Sequence, residues 1–175
     1  MAHTRHVQSG ILLLMAREAP PHEIVTVTDR PDLVPTLARW MQETFGNPSG
    51  RTLAETEALF RAPPRGPEES FVLLLDGQPV GTASLAHDDL ETRRDLSPWL
   101  AGVVVQPQFR GRGFASALVR RVERFAAASG VQTLWLYTWT ADALYAQLGW
   151  EYAGQEFEPK RGIEVTLMRR TLREG

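Results

Sequence analysis

The spacing of apolar positions along the chain changes several times, and each change marks an element. Ile24-Val25-Thr26-Val27 is β-branched and follows Pro20-Pro21, which predicts a strand. Asp29 and Pro31 then supply helix-start chemistry for a helix over 32–45, which Gly46-Asn47-Pro48 stops. A shorter helix is expected over 52–60, and the proline-bearing stretch 62–69 reads as a loop. Phe71 to Leu75 and Val80 to Leu85 are apolar runs on either side of Asp76-Gly77-Gln78-Pro79, a pattern that predicts a hairpin. After a polar stretch from His87 to Asp95, Pro98-Trp99-Leu100 opens a further strand that runs to Val105.

Downstream the period lengthens. Phe114, Ala117, Leu118, Val122 and Phe125 recur at three- and four-residue intervals, which predicts an amphipathic helix ending near Ser129 with Arg120, Glu123 and Arg124 on its solvated side. Gly130 is placed to end it. Thr133 to Thr138 carries large residues on both faces, as a buried strand does, and 141–148 reads as a short helix stopped by Gly149. Residues 150–157 and 163–169 complete the pattern as two strands joined by the turn 158–162.

With 175 residues and 43% hydrophobic content, the chain suits one core, so a single domain over 1–175 is expected, with 1–20 as an N-terminal extension or extra strand. Lys and Arg number 19 against 21 Asp and Glu, for a net charge of −2, which argues against nucleic acid or an anionic membrane as partner. There is no cysteine, so disulfides, thiolate nucleophiles and Cys-based metal sites are excluded, and the composition is compatible with a reducing cytoplasm. The apolar run Ile11 to Ala16 is too short to cross a bilayer and lacks a cleavage pattern, so a cytoplasmic, soluble protein is expected. Nothing in the pattern calls for a metal.

The chemistry concentrates at Arg110-Gly111-Arg112-Gly113-Phe114-Ala115, between the strand ending at Val105 and the long helix. Strand, glycine turn and helix in that order present unpaired backbone N–H groups to a polyanion. A dinucleotide fingerprint would need glycine where Ser116 stands, and a Walker-type loop would need a lysine that is not there. What fits is Arg or Gln, two residues, Gly, one residue, then Gly or Ala, filled by Arg110, Gly113 and Ala115. About 30 residues later comes Leu144-Tyr145-Ala146-Gln147-Leu148-Gly149-Trp150. From about Ile24 to Arg169 the chain resembles the GCN5-related N-acetyltransferases, the GNAT superfamily, in both motifs and in the order of its elements.

That resemblance implies an α/β (α+β) fold of the GNAT acyl-CoA N-acyltransferase type, a mixed, mostly antiparallel central sheet flanked by helices. It also implies acetyl-CoA as cosubstrate and an amine acceptor. The pyrophosphate would lie on Arg110, Gly111, Arg112, Gly113, Phe114 and Ala115, and the pantetheine arm would pair with the backbone of Val103 and Val105. A bulge near Val105 would free an N–H for the thioester oxygen. Tyr145, with a reference pKa of about 10, suits protonation of the departing thiolate.

The family often places a glutamate in or beside the central strand, whereas 99–105 contains no ionisable residue. The proton must then go to one of His87, Asp88, Asp89, Glu91 and Asp95 or to a water chain, with Asp89 and Glu91 the first choices for a general base. Trp99, Trp135, Tyr137 and Trp139 are candidates for lining an acceptor pocket. Without cysteine, direct attack in a ternary complex is expected, with an acetyl-serine enzyme as the alternative. Two other readings are an acyl-CoA-binding sensor module without turnover and a nucleotide-phosphate enzyme. Homodimers are common among relatives, and the sequence leaves oligomeric state open.

Overall fold

The computed structural model describes residues 20–173, so the Ile11–Ala16 run lies outside them. Seven strands form one sheet: β1 (Glu23–Thr26), β2 (Glu69–Leu75), β3 (Gln78–Ala86), β4 (Trp99–Val105), β5 (Thr133–Thr138), β6 (Glu151–Glu158) and β7 (Ile163–Thr171). The helices are α1 (Val34–Phe45), α2 (Leu53–Arg61), α3 (Phe114–Ala128) and α4 (Asp142–Gln147). The sheet order is β1-β2-β3-β4-β5-β7-β6, and every neighbouring pair is antiparallel except β4 with β5.

Strand β2 shows why the apolar runs are continuous rather than alternating. Phe71 and Leu73 pack toward α3 with Leu118 and Val122, while Val72 and Leu74 pack on the opposite face with Val34 and Leu37 of α1. Both faces of the sheet are therefore covered, and the central run Phe71–Leu74 of the strand is buried throughout. The Asp76-Gly77 turn before β3 has φ of 49° and 78° at its two central residues, the left-handed pair that a two-residue hairpin needs. Thr52 caps α2 reciprocally: its hydroxyl accepts from the Glu55 amide at 3.1 Å and its own amide donates to the Glu55 carboxylate at 2.8 Å.

One irregularity positions everything that follows. Strands β4 and β5 are paired only at Trp99 with Trp135 and diverge beyond that point. The parallel pair thus opens into a wedge at its C-terminal end, the side on which open α/β sheets present ligand sites. Among the described residues no helix is long and apolar enough to cross a membrane.

Candidate active site

The turn at 110–113 is built from left-handed glycines. Gly111 has φ 75° and Gly113 has φ 81°, backbone that a β-carbon disfavours, and Gly113 is the N-cap of α3. A glycine cap supplies no side chain, and the first helical bond is Ala117 N–H to Gly113 C=O at 3.1 Å. Among the described residues, the amides of 111–116 find no intramolecular acceptor. A row of free N–H groups at the positive end of a 15-residue helix is an anion site.

The side chains of this turn divide the work differently from the sequence expectation. The Arg110 Nε donates to the Val105 carbonyl at 2.9 Å, so that carbonyl is already engaged and only the Val105 N–H remains for a guest. The Arg112 guanidinium lies 5.6 Å from the Phe109 ring centre. The Phe114 side chain is buried in the core, so this residue offers its amide alone, and Ala115 packs half-buried against the same core.

Along β4, Thr82 faces Val104 and Ser84 faces Ala101, so Ala83 opposes both Gly102 and Val103. The bulge therefore lies at 102–103, upstream of the expected position near Val105, because Gly102, with φ 60°, is the residue that tolerates the turn in the strand. A β-carbon there would stand 3.1 Å from the Met41 sulfur. The Gln106 amide donates to Val80 at 2.9 Å, and successive peptide groups of a strand face opposite edges, so the Val105 N–H faces the open wedge.

A cavity of about 1410 Å³ fills the wedge between α1, α2, β4 and β5, and both Tyr145 and Asp89 line it. Tyr145 packs edge-on to Trp150 with ring centres 6.1 Å apart, and its hydroxyl has no hydrogen-bond partner among the described residues. Burial pushes its pKa up to about 12, which keeps the phenol protonated. Asp89 lies at the head of the cavity with no ion-pair or hydrogen-bond partner among the described residues. Crowding by the cleft walls raises its pKa to about 7, opposed by Arg161 and aided by Glu158. Part of the residue's surface remains exposed, so this is the desolvation of a crowded cleft rather than of a dry core.

The other base candidates are placed elsewhere or already paired. Glu91 lies on the exposed rim, 3.5 Å from Lys160 and 3.9 Å from Arg94, and lines a side cavity of about 210 Å³ rather than the one holding Tyr145. Asp88 pairs with Arg65 at 2.9 Å and Asp95 with Arg93 at 2.9 Å, while the His87 ring lies 3.3 Å from the Ser97 hydroxyl. Trp139 lines the main cavity, Trp99 is fully buried, and Tyr137 lines the cavity with its pKa raised by burial and by the charge of Asp89.

Two groups of supporting residues escaped the sequence reading. Glu123, expected on the solvated face of α3, is buried: it accepts from the Trp150 indole at 3.0 Å and the Arg120 guanidinium at 2.9 Å. The Arg170 Nε lies 3.7 Å from the same carboxylate, and its Nη1 donates to the Gly149 carbonyl at 2.7 Å. A β-carbon on Gly149 would collide with that Nη1, so the glycine of the second motif makes room for an arginine that anchors the end of α4. The signal was in the spacing, since Glu123 follows Val119 by four residues and precedes Ala126 by three, and both are buried. The second group is Arg161, which donates to the Phe45 carbonyl at 2.6 Å, lies 5.1 Å from the Trp139 ring centre, and is 3.8 Å from buried Glu158. It holds Trp139 against the end of α1.

The profile described as the acetyltransferase (GNAT) family matches residues 34–150, more than half of the chain, and spans both the glycine turn and the tyrosine segment. The chain belongs to the GNAT family. Aminoglycoside N(6′)-acetyltransferase type 1 of Salmonella typhimurium is 33% identical over 93 residues, 51% of this chain and 61% of that protein. The chain thus matches about 61% of the length of these curated relatives. A crystal structure of aminoglycoside 6′-N-acetyltransferase complexed with coenzyme A shares the fold with a TM-score of 0.70 at 16% identity, over 86% of this chain and 97% of that one. The yncA protein of Salmonella typhimurium with its cofactor acetyl-CoA shares it with a TM-score of 0.68 at 16% identity, over 89% and 96%. The split between β4 and β5 thus carries the family's two motifs, one following the C-terminal end of each strand.

Proposed function

We propose that the chain is an acetyl-CoA-dependent N-acetyltransferase that transfers acetyl to a primary amine by direct attack in a ternary complex. One observation carries the reading: β4 runs from the cavity that holds Tyr145 and Asp89 to the turn whose amides lack acceptors. The amides of 111–116 take the diphosphate, aided by the terminal nitrogens of Arg110, and the Val105 N–H with the bulged backbone at 102–103 takes the amide-rich arm and the thioester oxygen. The named activities of relatives, with acetyl-CoA or coenzyme A bound in two neighbouring structures, support this assignment. The lack of cysteine is compatible with action in the cytoplasm.

The residues then divide the proton work. Asp89 takes a proton from the acceptor ammonium, leaving a neutral amine. Its lone pair attacks the thioester carbonyl carbon; the C–N bond forms, the C–S bond breaks and the electron pair leaves on sulfur. Tyr145 donates its proton toward that sulfur and is reprotonated through water by the surplus proton on nitrogen. The sum is ammonium plus thioester giving amide, thiol and one proton. A phenol pushed up to about 12 holds its proton more tightly than a thiol does at its reference value of about 8.5. Full transfer to a free thiolate is therefore uphill by roughly 5 kcal/mol. Tyr145 acts chiefly as a strong hydrogen-bond donor while the C–S bond is breaking, and enclosure of the thiol narrows the gap.

The absence of an ionisable residue from 99–105 favours a second reading, a CoA-binding module without turnover. Release of free thiol from acetyl-CoA across an amine panel separates them. Turnover with an amine supports the enzyme, and tight acetyl-CoA binding with no release supports the module.

A further inference from the structure

We infer that the acceptor is a monocationic primary amine with an apolar or aromatic body, rather than a polycation; this rests on the acetyltransferase reading above. The charge inventory of the cavity is the first support. Glu68 accepts from the Arg65 amide at 2.7 Å and the His87 amide at 2.8 Å. Glu69 accepts from the Thr28 hydroxyl at 2.6 Å and the Ser70 amide at 2.9 Å, and Asp88 holds the Arg65 guanidinium. Of the carboxylates that line the cavity, Asp89 alone has no partner among the described residues. Arg51, Arg61, Arg65 and Arg161 line the same space and oppose any field that would gather several cations. One ammonium can be matched here; further ammonium groups would meet arginines and apolar walls, each losing water without an anion in return.

The apolar walls are the second support, and they are independent of the charge. A folded chain hides large apolar side chains where it can, yet Leu59 of α2 is 57% exposed and Trp139 is 41% exposed, and both line this cavity. Helix α2 has no fully buried residue: Phe60 packs partly against the cluster of Val27, Leu33 and Leu37, while its neighbour Leu59 borders the cavity uncovered. Pro63 and Pro64 continue that wall as a stiff, donor-poor edge. Trp139 is held in place by the Arg161 guanidinium on its ring and by the edge of Phe45, 6.1 Å away between centres. An amine at Asp89 whose body lies along Leu59 and Trp139 covers exposed apolar surface and matches the one free charge.

Thiol-release kinetics at saturating acetyl-CoA test this, with phenethylamine and tryptamine as single cations with rings, ethylamine as a single cation without a body, and spermidine and tobramycin as polycations. Burying a ring-sized apolar group is expected to raise kcat/KM by about 10- to 100-fold over ethylamine. The polycations are expected to fall below the ring amines by at least a similar factor. Leu59→Ser and Trp139→Ala should each shrink the kcat/KM ratio of the ring amines over ethylamine several-fold. Preference for tobramycin or spermidine overturns the inference, as does equal turnover of ethylamine and tryptamine. No turnover of any amine, whether or not calorimetry shows acetyl-CoA bound, would instead overturn the acetyltransferase reading itself, and the two failures are thereby told apart.

Discussion

Replacing Gly149 by alanine tests whether the second motif is built around Arg170. Two costs are separable. Gly149 has φ 89°, and holding a side-chain-bearing residue in left-handed backbone costs roughly 1–2 kcal/mol. The new methyl group also occupies the place of Arg170 Nη1, breaking its 2.7 Å bond to the Gly149 carbonyl, and a hydrogen bond from a charged group is worth roughly 1.5–3 kcal/mol. The sum is about 2.5–5 kcal/mol, which for a chain of this size lowers the melting temperature by roughly 5–20 °C. Gly130→Ala is the control, because Gly130 has φ 82° but nothing within 4 Å of a β-carbon, so it carries the backbone cost alone. Thermal melts followed by circular dichroism should place Gly149→Ala well below Gly130→Ala. Equal melting temperatures would refute the role given to Arg170 and, with it, the account of why glycine precedes Trp150.

The catalytic assignments make their own demands. With the Asp89 pKa raised to about 7, the base form is lost as pH falls, so kcat/KM should drop tenfold per unit below about 7 and level off above it. Asp89→Asn should remove that limb and cost about 10²- to 10⁴-fold, and an unchanged pH profile would exclude Asp89 as base. The sign for stability is the reverse: a carboxyl whose folded pKa exceeds its ordinary value of 3.8 binds its proton better when folded, so ionising it weakens the fold as pH rises toward 7. Denaturant titrations should show Asp89→Asn losing less stability than wild type over that window. Tyr145→Phe removes a hydroxyl without a partner among the described residues, so kcat should fall about 10²-fold or more while melting temperature and acetyl-CoA affinity stay near wild type. Equal loss of affinity and turnover would make the tyrosine structural.

Local chemistry made much of the fold legible. The Asp76-Gly77 hairpin and the glycine turn before α3 are each written within a few residues, and each formed where the spacing placed it. Long-range contacts were not legible. Nothing near Glu123 announces that Trp150 and Arg170, distant in sequence, close over it. The choice between Asp89 and Glu91 likewise turned on which cavity each one lines, which depends on how α1 and α2 stand over the wedge. The bulge at Gly102 shows the same limit: glycine signals tolerance of the turn, and the register against β3 decides that the turn is made there.

The central claim is that main-chain amides at 111–116 hold a diphosphate, and calorimetric titration of acetyl-CoA into wild type and Gly111→Asp tests it most directly. Gly111 is exposed with open space around it, and aspartate is among the few residues that accept its φ of 75°, so the substitution spares the fold. A carboxylate about 5 Å from one phosphate charge at an effective dielectric constant of about 20 costs about 3 kcal/mol. The account predicts measurable binding by wild type and at least about 100-fold weaker binding by the variant. Equal affinity in the two would contradict it.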